Sequence, residues 1–107
     1  MGTERRIFNT PSGVVPANYV KVSRWIGDNE IALWKRVNSH IPNEIGRGTQ
    51  IYVTLFGAPK PGGVGSYRVD FFVPKAMLSN TANPLHKQIF GSVSNTPIYN
   101  VEVFDCR

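Results

Sequence analysis

Hydrophobic and polar positions alternate through most of this chain, and that period of two predicts strands more than helices. The clearest run is 50–56, where Ile51, Val53 and Leu55 fall on one side and Tyr52, Thr54 and Phe56 on the other. A second run, 67–73, sets Tyr67, Val69, Phe71 and Val73 inward against Arg68, Asp70 and Phe72. Pro74 stops it, having no N–H for a ladder. Between the two, 57–66 holds Gly57 and three further glycines with two prolines, too broken for an element. The pair therefore predicts a β-hairpin with a long, exposed connection.

Tyr19 to Ile26 predicts an earlier strand, with Val20, Val22 and Ile26 on one face, Arg24 as the exception there, and Tyr19, Lys21, Ser23 and Trp25 on the other. Residues 98–104 predict the last strand, with Tyr99, Val101 and Val103 facing in. In 31–37, Ile31, Leu33 and Val37 alternate as in a strand, while Ala32 to Arg36 also suit a short helix; the turn at Gly27-Asp28-Asn29 favours the strand. The first 18 residues read as irregular, with Arg6-Ile7-Phe8 as a short edge strand. Asn83 as N-cap, Pro84 in the first helical position and Gly91 after the last turn predict a short helix over 84–90. The sum is an α+β fold, mostly antiparallel β: a five- to six-stranded meander sheet with one short helix near 84–90, in a single domain spanning 1–107.

Composition narrows the chemistry. In 107 residues, 41% hydrophobic and 18% charged, there is no bias of the kind that marks a disordered tail, a coiled coil or a collagen-like fibre. The lone Cys106 excludes an internal disulfide framework and a multi-cysteine zinc site. His40 and His86 lie in unrelated contexts without a neighbouring ligand at metal spacing, so neither a metal nor a cofactor is expected. The carboxylates Asp28, Glu30, Glu44, Asp70, Glu102 and Asp105 form no acid/base pair, and a non-enzymatic protein is expected. A small nuclease using His40, His86, Arg68 and a carboxylate is the enzymatic alternative. The glycines of 61–65 precede a strand, whereas a phosphate cradle opens a helix, so they read as a loop tip. No apolar run approaches the ~18 residues of a membrane span, and no membrane partner is expected.

Charge changes the picture more. Twelve Lys and Arg against seven Asp and Glu give +5, with a pI near 9.7. The cations are spread along the chain among Tyr19, Trp25, Trp34, Tyr52 and Tyr67, and the excess favours a polyanionic partner. Tyr52, Thr54 and Arg68, with Lys21 on a neighbouring strand, form an aromatic and basic sheet face of the type that stacks bases and holds phosphates. Arg24 and Lys75 complete the candidate nucleic-acid-binding set. Outward Trp25, Tyr52, Phe56 and Phe72 are more aromatic surface than a monomer justifies, which points to a homo-oligomer. A small β-barrel module binding single-stranded nucleic acid is the alternative that uses the same face, and a cytoplasmic location goes with it.

The stretch Ile51-Tyr52-Val53-Thr54-Leu55-Phe56, the 57–66 loop, and Tyr67-Arg68-Val69-Asp70-Phe71-Phe72-Val73-Pro74-Lys75 resembles the coat proteins of the small single-stranded RNA bacteriophages. Those proteins share an alternating strand, a loop of small and polar residues, and a Tyr-led strand closing in Val-Pro-Lys; the first 37 residues here would supply their amino-terminal hairpin. The resemblance implies a capsid protein of the virion, assembled in the host cytoplasm. Its building block would be a homodimer whose joined sheet lines the shell and grips genomic RNA. The family's RNA contacts would fall on Tyr52, Thr54 and Arg68. Two departures stand out: Asp70 occupies a position where a cation would suit RNA, and the family's two closing helices are replaced by 84–90 and a strand.

Overall fold

The structure, a computed structural model, describes residues 4–10, 13–36, 40–42, 51–62, 65–80, 86–89 and 97–106. Its strands are β1 (Arg5–Thr10), β2 (Tyr19–Ile26), β3 (Ile51–Leu55), β4 (Tyr67–Pro74), β5 (Leu78–Asn80), β6 (His86–Ile89) and β7 (Tyr99–Asp105). They form one sheet in the order β1-β7-β4-β2-β3-β6-β5, with every described pairing antiparallel. One helix, α1 (Asp28–Arg36), and a short 3-10 turn at Lys75–Met77 complete the described elements. The chain is thus α+β and mostly antiparallel, as its alternation predicts.

The order is not that of a meander, and the expected hairpin of 50–75 does not form. β2 lies between β3 and β4, pairing with β4 along its length from Tyr19↔Pro74 to Ile26↔Tyr67 and with β3 at Val22↔Leu55 and Ser23↔Thr54. The 57–66 connection therefore spans two strand spacings, about 10 Å, instead of turning tightly. It returns against the end of β2, where a Cβ on Gly65 would overlap the backbone carbonyl of Ile26. Only glycine fits that crossing.

The strand expected over 31–37 is helix through Arg36, and Val37 lies outside the described residues. Gly27-Asp28-Asn29 is a helix start, not a hairpin turn: the Glu30 N–H reaches the Gly27 carbonyl at 3.2 Å. Asp28 and Glu30 in the first turn and Lys35 and Arg36 in the last all favour the helix dipole. Conversely, the helix expected near 84–90 is overturned at 86–89, which form β6; Pro84, Leu85 and Phe90 lie outside the described residues. A seven-residue helix is marginal in water. The free edge of β3 offers a ladder instead, from Ile51↔Ile89 to Thr54↔His86.

The core lies under one face of the sheet. Val22, Ile26, Ile51, Val53, Val69, Phe71, Val73, Val101 and Val103 are buried there with Ile41, Ile98 and Trp34 of α1. The Trp34 ring lies 5.2 Å from that of Phe71. Arg24 shares this face, being paired with Val69. Its Nε and Nη2 donate to Glu30 at 2.8 and 3.0 Å, while the Trp34 indole N–H reaches the same carboxylate at 2.9 Å. That network ties helix to sheet and satisfies a cation that the apolar pattern left unexplained.

Tyr99 does not face in as its spacing predicts. The pairing of β4 with β7 slips between Asp70↔Glu102 and Phe72↔Tyr99, and Asn100 there takes a φ of 53°. That extra residue turns Tyr99 to the other face, where its ring meets Tyr19 edge-on at 5.1 Å.

Candidate nucleic-acid interface

The second face of the sheet is built in cross-strand rows. Arg6, Phe104, Arg68 and Trp25 lie side by side on β1, β7, β4 and β2. Asn9, Glu102, Asp70, Ser23 and Thr54 form the next row, and Tyr99, Phe72 and Lys21 the third. Phe56 extends the third row, its N–H donating to the Lys21 carbonyl at 3.4 Å. Two aromatic and cationic rows thus flank a middle row of carboxylates, hydroxyls and an amide.

Cations and rings interlock across these rows. The Lys21 ammonium is 4.0 Å from the Phe56 centroid and 5.9 Å from that of Phe72. The Arg68 guanidinium lies 4.7 Å from the Phe104 centroid and about 6 Å from Trp25 and Phe56. Lys60 stands 5.8 Å from the Trp25 ring. Such contacts place cations on ring faces while leaving their donors for other partners. The Trp25 indole nitrogen is buried without a hydrogen-bond acceptor among the described residues.

The middle row holds the lattice in place. Asp70 is 1% exposed, accepting from the Ser23 hydroxyl at 2.6 Å and from Arg68 Nε at 3.0 and 3.1 Å. The carboxylate that looked misplaced for RNA is therefore covered, and it orients Arg68. The Arg68 Nη1 and Nη2 donate to Glu4 at 2.8 and 2.7 Å. Those two carboxylates, Glu4 first, raise the Arg68 pKa still further, and Arg68 in turn holds the Glu4 carboxyl below its usual range. Glu102 is shared by Arg6 at 3.3 Å and Lys21 at 3.9 Å. A cavity of about 340 Å³ opens beside it, lined by Arg6, Asn9, Lys21, Phe72, Asn100 and Glu102.

The residues singled out from the sequence separate here. Lys21 and Arg68 belong to the lattice, and Tyr52 stands on the same face of β3 as Thr54, 60% exposed. Thr54 itself is buried, its hydroxyl donating to the Ser23 carbonyl at 3.4 Å. Arg24 is on the opposite face, engaged with Glu30, and Lys75 is exposed at the end of β4 in the 3-10 turn. Glu4, Arg6, Lys60 and Phe104 were not anticipated. Phe104 was readable from the alternation of 98–104; nothing local in the sequence marks Glu4.

No three His, Cys, Asp or Glu side chains come together as metal ligands among the described residues. The Cys106 thiol is half-buried, and that burial raises its pKa, which keeps it protonated near neutrality. Among the described residues no helix is long and apolar enough to cross a membrane. Compared with known proteins, the chain matches no family model, no curated protein and no solved structure.

Proposed function

We propose that this is a non-enzymatic structural protein of the viral coat kind, which assembles through sheet-based dimers and presents its aromatic and cationic sheet face to RNA within a virion. The observation that carries the reading is the asymmetry of the sheet. One face is closed by α1, while the other leaves Tyr52 and Phe56 60% and 49% exposed among ordered cations. Rings and guanidinium planes on a sheet are a stacking surface for unpaired bases.

The charge balance decides how such a face would bind. Its described cations are Arg6, Lys21, Lys60 and Arg68, and its carboxylates are Glu4, Asp70 and Glu102, so it is close to neutral. Stacking, at about 1–3 kcal/mol per base, then outweighs counterion release, and the salt dependence is shallow. The assembly half of the reading is supported by the sheet's two ends, β1 and β5, which pair on one side only among the described strands. β5 has three residues, whereas β1 has six and offers the longer ladder for a second copy. The described strands leave β1 and β5 at opposite ends of the sheet, an order that lends no support to the β-barrel form of a binding module.

Size-exclusion chromatography with absorbance at two wavelengths tests the proposal. A very large particle carrying nucleic acid is the expected result, with a dimer as its dissociated unit. A monomer indifferent to single-stranded RNA overturns it.

A further inference from the structure

Arg68 is the most constrained cation on the open face. Asp70 fixes its Nε, Ser23 fixes Asp70, and the guanidinium carbon lies 4.7 Å from the Phe104 ring centroid. Those contacts leave the outer fork, Nη1 and Nη2, which is filled by the two oxygens of Glu4 at 2.8 and 2.7 Å. The Arg68 side chain is 14% exposed and that of Glu4 53%. The anion is thus the outermost member, and the fork reaches solvent through it.

We propose that Glu4 occupies a phosphate site. Arg68 is preorganised to bind a backbone phosphate of single-stranded RNA in bidentate fashion, and the Glu4 carboxylate is an internal competitor that the phosphate displaces. A guanidinium fork accepts two carboxylate oxygens or two phosphate oxygens with the same planar geometry. With the carboxylate half in solvent and only the guanidinium covered, the pair is weak enough to exchange. Three other cation pairings among the described residues lack the device; Arg5 reaches Asp105 by one contact at 3.6 Å. Arg24 is paired just as closely, but Glu30 is 15% exposed and also accepts from Trp34, so its carboxylate is locked. Arg6 and Lys21 reach Glu102 by single, longer contacts that define no fork. The proposal rests on the reading of this face as an RNA surface, and it adds the residue that moderates the affinity.

The test is fluorescence anisotropy with a short single-stranded RNA lacking self-complementarity, titrated over a series of salt concentrations. Glu4→Gln frees the fork and is expected to tighten binding about two- to fivefold. Because the displaced carboxylate leaves the same phosphate contact in both complexes, the slope of log affinity on log salt should stay unchanged. Asp28→Asn, which makes the same charge change at the start of α1, should leave affinity and slope unchanged. In an Arg68→Lys background, which keeps the charge and loses the fork, Glu4→Gln should gain nothing. If the wild-type chain binds RNA and Glu4→Gln binds no tighter, the device is overturned and the RNA-binding reading stands. An equal gain from Asp28→Asn, or a gain that survives Arg68→Lys, overturns it in the same way. RNA bound by neither the wild-type chain nor Glu4→Gln overturns both.

Discussion

Two arginines on opposite faces of the sheet, Arg24 and Arg68, are each gripped by a carboxylate through two hydrogen bonds, yet the grips differ in kind. Under the helix, Arg24 and Glu30 are both largely covered, and Glu30 also accepts from Trp34, so every strong donor and acceptor is spent inside the subunit. On the open face, Arg68 is anchored from below by buried Asp70 and capped from above by Glu4, which is half in solvent. The first arrangement closes a core; the second holds a cation in position and leaves its outer partner exchangeable. The same ion-pair chemistry therefore serves packing on one face and, in the function proposed above, recognition on the other, with burial of the carboxylate as the difference between them.

Substitutions that treat the faces unequally sharpen this contrast. Trp34→Ala removes the ring against Phe71 and the Glu30 acceptor's partner. It should cost about 3–5 kcal/mol in urea unfolding, whereas Phe56→Ala on the open face should cost less than about 1 kcal/mol. Equal losses would mean that the second face is also a core. Asp70→Ala leaves Arg68 and Ser23 without their buried acceptor and should cost about 3 kcal/mol by the same measurement. A loss near zero would show that the middle row carries no stability and that Arg68 is held by its ring contacts alone.

Tyr52→Ala should leave the unfolding midpoint within about 0.5 kcal/mol of wild type. Its RNA affinity should fall by the equivalent of about 1–3 kcal/mol if the ring stacks on a base. Unchanged affinity would move the contact surface away from β3. The smallest effect concerns pH. The Glu4 carboxyl is held below its ordinary value of 4.5 by Arg68, so its stabilisation is present above that value and lost as pH falls through the lower, folded-state value. With Glu4 half exposed, the pair contributes under about 1 kcal/mol. The stability difference between wild type and Glu4→Gln should accordingly vanish below that window; a difference that persists in acid would assign it to something other than this ion pair.

Much of the inner face was readable from alternation. Val22, Ile26, Val69, Phe71, Val73, Val101 and Val103 all fall where a period of two places them, because a sheet with one covered face demands it. The ladder partners were not readable. Ile51 to Leu55 and Tyr67 to Pro74 look like a hairpin locally, yet the long β2 fits between them with a continuous ladder to β4 and a shorter one to β3. Helix and strand were exchanged at 28–36 and 86–89 for related reasons. Trp34 gains a buried site against Phe71 only when 28–36 is helical, and 86–89 gains the edge of β3 only when extended. Of the candidate site, Tyr52, Lys21 and Arg68 were found by face. Glu4 was not, since it lies sixty-four positions from the arginine it caps.

By itself, the order of residues determined the strand-rich class, the apolar side of each main strand and the basic excess, since these depend on local period and composition alone. The tertiary structure decided the sequence of strands across the sheet, the bulge that turns Tyr99 over, and which carboxylate meets which cation. Those outcomes depend on backbone ladders and charge pairs between distant segments, where the free energy of a pairing is set by what else competes for the same edge.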